Sequence, residues 1–263
     1  MAAKTILNSF RLEGRVALVT GGTGRLGSAI SKSLAGAGAH VMVNSHTSKL
    51  KFSGPNFTHV PFDVTDERAI RKWASKIKKD YGKLDILVHC AYQGKTGTLE
   101  NATPDDFRNA YEVSVVSAFN LINAFKPLLE RAAQKNLGGA SVIHVASVYG
   151  TQSPDPSIYG KSGMNNPPHY GAAKAALLQF TRYAACHLAR QKIRVNAISP
   201  GPFPPEEFLM RNSDFHAKLR KKVPIGRVGQ PEELGGAVLF LASDASSFVT
   251  GVNLPVDGGW TAW

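Results

Sequence analysis

The chain has 263 residues, 43% of them hydrophobic and 19% charged, and a net charge of +12 at neutral pH. That balance excludes a disordered or fibrous protein and is enough for a sizeable buried core. Two cysteines cannot build a disulfide framework, and no apolar run nears the ~20 residues of a membrane span. Met1-Ala2-Ala3-Lys4 lacks the charged-then-apolar order of a secretory leader, so a cytoplasmic protein is expected. The basic residues are scattered, with small clusters at 71–79 and 218–222 that read as solvated helix faces. Neither nucleic acid nor membrane is expected as a partner, and the histidines have no metal-ligand spacing. The same charge would attract an anionic small molecule, such as a phosphate-bearing cofactor.

Arg15-Val16-Ala17-Leu18-Val19-Thr20 is an almost uninterrupted apolar run, the mark of a strand buried on both faces. It feeds into Gly21-Gly22-Thr23-Gly24-Arg25-Leu26-Gly27. Residues 28–35 then have helical spacing, Gly36-Ala37-Gly38 is a stop, and 41–43 form a second strand. Strand, glycine-rich turn, helix, strand is a dinucleotide-binding unit, in which backbone amides at the helix N-terminus hold a pyrophosphate that glycine lets approach. Residues 58–62 make a third strand ending at Asp63-Val64, Asp66 caps a helix to about Tyr81, and 84–88 form a fourth strand. Thr103 caps and Pro104 opens a helix whose periodicity runs on to about Ala133. A fifth strand at 141–146 ends at Ser147, a sixth spans 193–199 and a seventh 252–256. Strand–helix alternation without a Pro/Gly-rich linker predicts an α/β fold. It would be a single-domain, Rossmann-like, doubly wound parallel β-sheet with helices on both faces, over 1–263.

His169-Tyr170-Gly171-Ala172-Ala173-Lys174 opens an apolar helical run that reaches about Arg190. Tyr170 and Lys174, four apart, lie one turn above the other on the same helix face. A phenol titrates near ~10, and an ammonium held close favours the phenolate and draws that value down. Such a pair can act as general acid and base on a carbonyl or an alcohol. Taken alone, the spacing fits an ordinary surface pair better.

With those residues in view, the chain resembles the short-chain dehydrogenase/reductase family from about Leu12 to Trp260. The marks are Thr20-Gly21-x3-Arg25-x-Gly27, Asp63-Val64, Leu84-Asp85-Ile86-Leu87-Val88, Ser147, Tyr170-x3-Lys174 and Arg194-Val195-Asn196-x-Ile198-Ser199-Pro200-Gly201, then Pro224-Ile225-Gly226-Arg227 and Val256-Asp257-Gly258-Gly259-Trp260. The resemblance implies that Ser147 hydrogen-bonds the substrate oxygen, that Tyr170 gives or takes its proton, and that Lys174 lowers the phenol and holds the nicotinamide ribose. It implies a cofactor held by Gly21, Thr23, Gly24, Arg25, Leu26 and Gly27, by Ser45 and His46, by Asp63 and Val64, and by His89 and Ala91. Pro200, Gly201, Phe203, Tyr170 and Lys174 complete that set.

Three departures from the family pattern stand out. Arg25 occupies a position that is commonly glycine; arginine avoids positive φ, and its guanidinium could contact a phosphate or face solvent. His89-Cys90-Ala91-Tyr92 replaces Asn-Asn-Ala-Gly, so the hydrogen bonds differ and Tyr92 adds bulk where cofactor or substrate passes. Cys90 reads as an inert buried thiol and His144 as a core histidine. Ser114 stands where the family's helix asparagine completes the catalytic tetrad. A hydroxyl can hold the relay water there but reaches less far.

Asn44-Ser45-His46-Thr47-Ser48-Lys49 after the second strand contains no acid, so NADP(H) is favoured over NAD(H), with use of both left open. The stretch from Ser147 to Tyr170 is longer than usual in the family and must border the pocket. Tyr159, Met164, Asn165 or His169 is therefore expected to touch substrate. The substrate loops are placed at about 150–169 and 201–222; Glu206, Glu207, Arg211, His216, Lys218 and Arg220 in the second suit a polar or anionic substrate. The expected activity interconverts a secondary alcohol and a ketone on a small molecule, of sugar or polyol type. A 3-oxoacyl thioester reductase and a catalytically weak cofactor-binding subunit stand as alternatives. The resemblance also implies a homotetramer built on helices at about 104–133 and 170–190.

Overall fold

The computed structural model describes residues 6–46, 49–50, 52–94, 96–160, 162 and 165–263. The strands are β1 (Val16–Thr20), β2 (His40–Ser45), β3 (Phe57–Pro61), β4 (Ile86–His89), β5 (Ala140–Val145), β6 (Ile193–Pro200) and β7 (Asn253–Val256). They form one parallel sheet in the order β3-β2-β1-β4-β5-β6-β7. The helices are α1 (Arg25–Gly36), α2 (Glu67–Tyr81), α3 (Pro104–Tyr111), α4 (Ser117–Ala133), α5 (Pro156–Tyr159), α6 (Pro168–Leu188), α7 (Glu206–Arg211), α8 (Ser213–Lys222) and α9 (Leu234–Ala242).

Every residue of β1 is buried, and alternate side chains serve opposite layers. Val16 and Leu18 join the cluster built with Ile70 of α2, Phe125 of α4 and Leu188 of α6. Ala17 and Val19 join the one built with Ile30 of α1 and Val238 of α9. The strand order reverses between β1 and β4, and the crevice beyond the strand ends at such a switch point is where open α/β sheets bind ligands. Gly21 and Ala91 meet there: a Cβ on Gly21 would lie 2.8 Å from the Ala91 Cα.

Strand ends shift from the sequence reading by one or two residues, and two helices differ more. The helix after the glycine turn begins at Arg25, because the Ser28 amide already donates to the Gly24 carbonyl at 2.8 Å. The helix expected at 104–133 is interrupted by a π turn, Glu112–Val116. There the buried His89 ring bonds into the helix, its Nε2 standing 3.3 Å from the Ser114 carbonyl and 3.1 Å from the Ser117 hydroxyl. A side chain inserted into the carbonyl ladder is a known cause of such a break.

The two segments expected to border substrate pack on each other. Ile158 of α5, Leu209 of α7 and Leu219 of α8 share a cluster with Val148 and Trp260, and Lys222 pairs with Asp155 at 2.6 Å. No helix among the described residues is long and apolar enough to cross a membrane.

Candidate active site

A cleft of about 1030 Å³ lies over the switch point. That is the top of the roughly 300–1,000 Å³ range of single small-molecule sites, so it has room for a coenzyme and a substrate together.

One half of the cleft is built by the glycine turn. Gly21 has φ +62, and a Cβ on Gly27 would run into the Gly21 carbonyl oxygen and stand 2.9 Å from the Gly22 Cα, so glycine is what brings α1 against the loop. Gly24 caps α1 without a side-chain hydrogen bond, and the first turn carries no acid. Its amides are thus free to meet an anion at the positive end of the helix dipole. Asn44 stitches the region together, donating to the Val60 and Phe62 carbonyls at 3.0 Å while its Oδ1 accepts from Gly21 N at 3.4 Å. A glycine cradle with uncapped amides fits the diphosphate of a dinucleotide.

Gly21, Thr23, Gly24, Arg25, Leu26 and Gly27 all line the cleft, as do Ser45, His46, Asp63 and Val64 beyond β2 and β3. Arg25 has no positive φ; as the first residue of α1 it sends Nη1 to the Phe203 carbonyl at 2.5 Å. His46 Nδ1 stands 3.6 Å from Asp63 Oδ2. Burial raises the Asp63 carboxyl, but the Thr65 amide and hydroxyl together with His46 outweigh it and hold the group below its ordinary value.

The other half holds Ser147, Tyr170 and Lys174, with Ala91, Pro200, Gly201 and Phe203 between the two. Ser147 sits at the end of β5, its Oγ accepting from the Tyr149 amide at 3.1 Å and lying near enough to Tyr170 to draw the phenol down. Lys174 is 4% exposed, and its Nζ donates to the Val145 carbonyl at 2.8 Å. Burial pulls this amine down to about 8. The fall in the Tyr170 phenol expected from the i,i+4 spacing is not found. Burial raises the phenol and Ser147 only partly offsets it, because Lys174 turns to the β5 carbonyl and stands 5.7 Å from the Tyr170 ring centre.

Two expected site residues do not reach the cleft wall. His89 is 2% exposed behind it, its Nδ1 3.0 Å from the Thr20 hydroxyl, and burial lowers it to about 4. It braces β1 and β4 against the π turn. Ser114 is fully buried and its Oγ has no hydrogen-bond partner, while its carbonyl faces His89.

On the substrate side, Tyr159 and His169 line the cleft. Asn165 does not, but its neighbour Asn166 does; Met164 lies outside the described residues. Of α8, the apolar Phe215 and Leu219 face the cleft, whereas Glu206, His216 and Arg220 line a separate hollow. None of the six loop charges that suggested an anionic substrate lines this cleft. Sequence reasoning missed Asp106, Asn109, Ala110 and Val113, which line the cleft from α3 and the π turn. Their spacing of i, i+3, i+4 and i+7 is a helical stripe and was available as a signal. It also missed Tyr149, which follows Ser147 in the loop sequence with nothing to mark it.

Comparison with known proteins agrees with this geometry. The family model described as Enoyl-(Acyl carrier protein) reductase matches residues 25–261. The 3-oxoacyl-(acyl-carrier-protein) reductase FabG of Escherichia coli is 33% identical over 252 residues, covering 94% of this chain and 97% of that protein. A short chain dehydrogenase from Leptospira borgpetersenii, solved with bound NAD+, superposes with a TM-score of 0.86 at 30% identity, covering 99% of this chain and 97% of that one. A gluconate 5-dehydrogenase from Burkholderia cenocepacia, solved with NADP and tartrate, gives a TM-score of 0.86 at 30% identity over 98% of this chain and 100% of that one. With its glycine cradle, parallel sheet and matched length, the chain belongs to the short-chain dehydrogenase/reductase family and is an NAD(P)-dependent oxidoreductase.

Proposed function

We propose that the protein interconverts a secondary alcohol and a ketone, on a polar substrate of sugar or polyol type. The observation that carries this reading is the convergence of Ser147, Tyr170 and the buried Lys174 on one cleft, with Lys174 Nζ 5.7 Å from the Tyr170 ring centre. Ser147 Oγ holds the substrate oxygen. Tyr170 Oη gives that oxygen its proton in reduction and takes it in oxidation. Lys174 spends one of its three N–H donors on Val145 and keeps two for ligand hydroxyls. The nicotinamide, when bound, supplies or accepts the hydride. Tyr149, Tyr159, Asn109 and Asn166 add hydroxyl and amide groups to the cleft beside Lys174, which suits a hydroxylated ligand. The likeness to a gluconate 5-dehydrogenase supports a polyol-type substrate.

NADP(H) is the favoured coenzyme, because residues 44–49 after β2 contain no acid and Ser45 and His46 line the cleft. A homotetramer is favoured by the large apolar side chains left exposed on the long helices, Tyr111, Phe119 and Tyr183. Cys90 and Cys186 are free thiols, in keeping with the cytoplasm. The second reading, a 3-oxoacyl thioester reductase, is favoured by the likeness to FabG.

Following NADPH absorbance with a panel of ketones, sugars and 3-oxoacyl thioesters separates these readings. Turnover of a sugar or polyol ketone is expected, and Tyr170→Phe abolishes it while nucleotide still binds. Comparable activity in Tyr170→Phe sinks the acid/base assignment. Tight nucleotide binding by the wild type without turnover of any substrate favours a cofactor-binding subunit.

A further inference from the structure

The loop after β4 carries to the reaction centre a side chain that none of these roles uses. The Tyr92 ring packs edge-on against the Tyr170 ring, with centroids 4.7 Å apart and planes at 68°. Lys174 Nζ stands 5.3 Å from the Tyr92 centroid and 5.7 Å from that of Tyr170, so the ammonium lies against two rings that touch each other. The other titratable groups felt by this amine are the imidazoles of His89 on β4 and His144 on β5 and the Cys90 thiol; none is a carboxylate. Burial leaves the amine in want of stabilisation, and a cation within about 6 Å of a ring centroid gains it from the electron-rich face. The loop is built for this placement, because a Cβ on Gly94 would collide with the Tyr92 hydroxyl and lie 2.5 Å from Cζ. Glycine at 94 is what allows the ring to lie over the loop.

We propose that Tyr92 is a positioning residue, its ring holding the Lys174 ammonium and the Tyr170 phenol in register where another protein would use a counter-charge. A carboxylate there would bind the ammonium through its N–H groups. The face of a ring attracts the charge and leaves those donors available for ligand hydroxyls. Burial keeps the Tyr92 hydroxyl protonated, so the ring and not a phenolate is the active element. The proposal rests on the functional reading insofar as Tyr170 and Lys174 are the reacting pair, but the contacts can be tested without turnover.

The experiment is an NMR titration of the Lys174 amine in protein labelled with 15N-lysine, the signal assigned by its loss in Lys174→Met. Wild type and Tyr92→Phe are expected to titrate alike, since phenylalanine keeps the ring. Tyr92→Leu is expected to titrate roughly one pH unit lower, through loss of the ring's attraction. A Tyr92→Leu titration equal to wild type overturns the proposal, and so does Tyr92→Phe falling with Tyr92→Leu, which would transfer the effect to the hydroxyl. Should Tyr92→Leu fail to fold, Gly94→Ala displaces the ring from outside and carries the same expectation, an unchanged midpoint again refuting it. A lowered Lys174 with no turnover of any alcohol or ketone would leave the proposal standing and reject the functional reading; turnover with an unmoved Lys174 would do the reverse.

Discussion

The two imidazoles behind Lys174 make the protein's stability depend on pH in a calculable way. His144 is fully buried, and its Nδ1 stands 2.8 Å from the Thr181 hydroxyl. That hydroxyl donates to the Leu177 carbonyl, so it accepts from His144, and the proton resides on Nδ1. Nε2 is then a bare acceptor with no partner, and protonating it would bury a donor with nothing to receive it. His89 is also neutral: the Ser117 hydroxyl donates to the Val113 carbonyl, so it accepts from His89 Nε2, and Nδ1 faces Thr20. Burial lowers His89 from 6.5 to about 4, and burial with the charges of His89 and Lys174 lowers His144 to about 3. Between those values and 6.5 the native state binds fewer protons than the unfolded chain. Stability is therefore complete above pH 6.5, declines as the pH falls, and levels off below about 3. At about 1.36 kcal/mol per pH unit, each ring costs about 2 kcal/mol at pH 5, or about 4 kcal/mol for both. That is a large share of the roughly 5–15 kcal/mol that holds a domain together. His40, also lowered by burial, adds in the same direction. Urea unfolding at pH 7.5 and 5 measures the difference. His144→Phe keeps a ring to stack on Phe180, now 6.0 Å away, and removes one titrating group, so it should lose about half the pH dependence. A wild-type loss under about 1 kcal/mol, or an unaltered slope in His144→Phe, would refute the burial argument.

Ser45→Asp places a carboxylate in the coenzyme half of the cleft and should shift preference from NADP towards NAD by about tenfold or more; an unchanged Kd ratio would locate the phosphate elsewhere. Gly27→Ala drives a methyl group into backbone, with 2.9 Å to Gly22 Cα and no rotamer to relieve it. A loss of about 1–3 kcal/mol of stability is expected, with nucleotide affinity down about tenfold in a fluorescence titration. Arg194→Met removes the donors that serve the Gly138, Leu241 and Ser243 carbonyls and the Ser246 hydroxyl, all from a guanidinium 6% exposed. The Gly138 carbonyl loses its donor, while the Leu241 and Ser243 carbonyls keep the Ser141 and Ser246 hydroxyls, so a cost of about 1–3 kcal/mol is expected in urea unfolding. Coenzyme affinity, measured where the variant is folded, stays near wild type.

The alternation of apolar strands with periodic helices, the glycine turn after β1 and the Tyr170/Lys174 spacing were legible in the sequence because each is a local pattern. An uninterrupted apolar run, φ +62 at Gly21 and a one-turn separation on a helix are set by residues a few positions apart. What local pattern could not carry was decided by packing between elements distant in the chain. The π turn at Glu112–Val116 exists because His89, 25 positions before Ser114, reaches into the helix. The direction of Lys174 follows from the Val145 carbonyl, and burial set against the pull of Ser147 decides the Tyr170 phenol. The charges of 206–220 looked available to a substrate until α8 turned Phe215 and Leu219 inward and left His216 and Arg220 at another hollow. Residue order determines which groups a turn of helix can present; desolvation and the nearest acceptor, which depend on what the rest of the chain brings alongside, decide what those groups do.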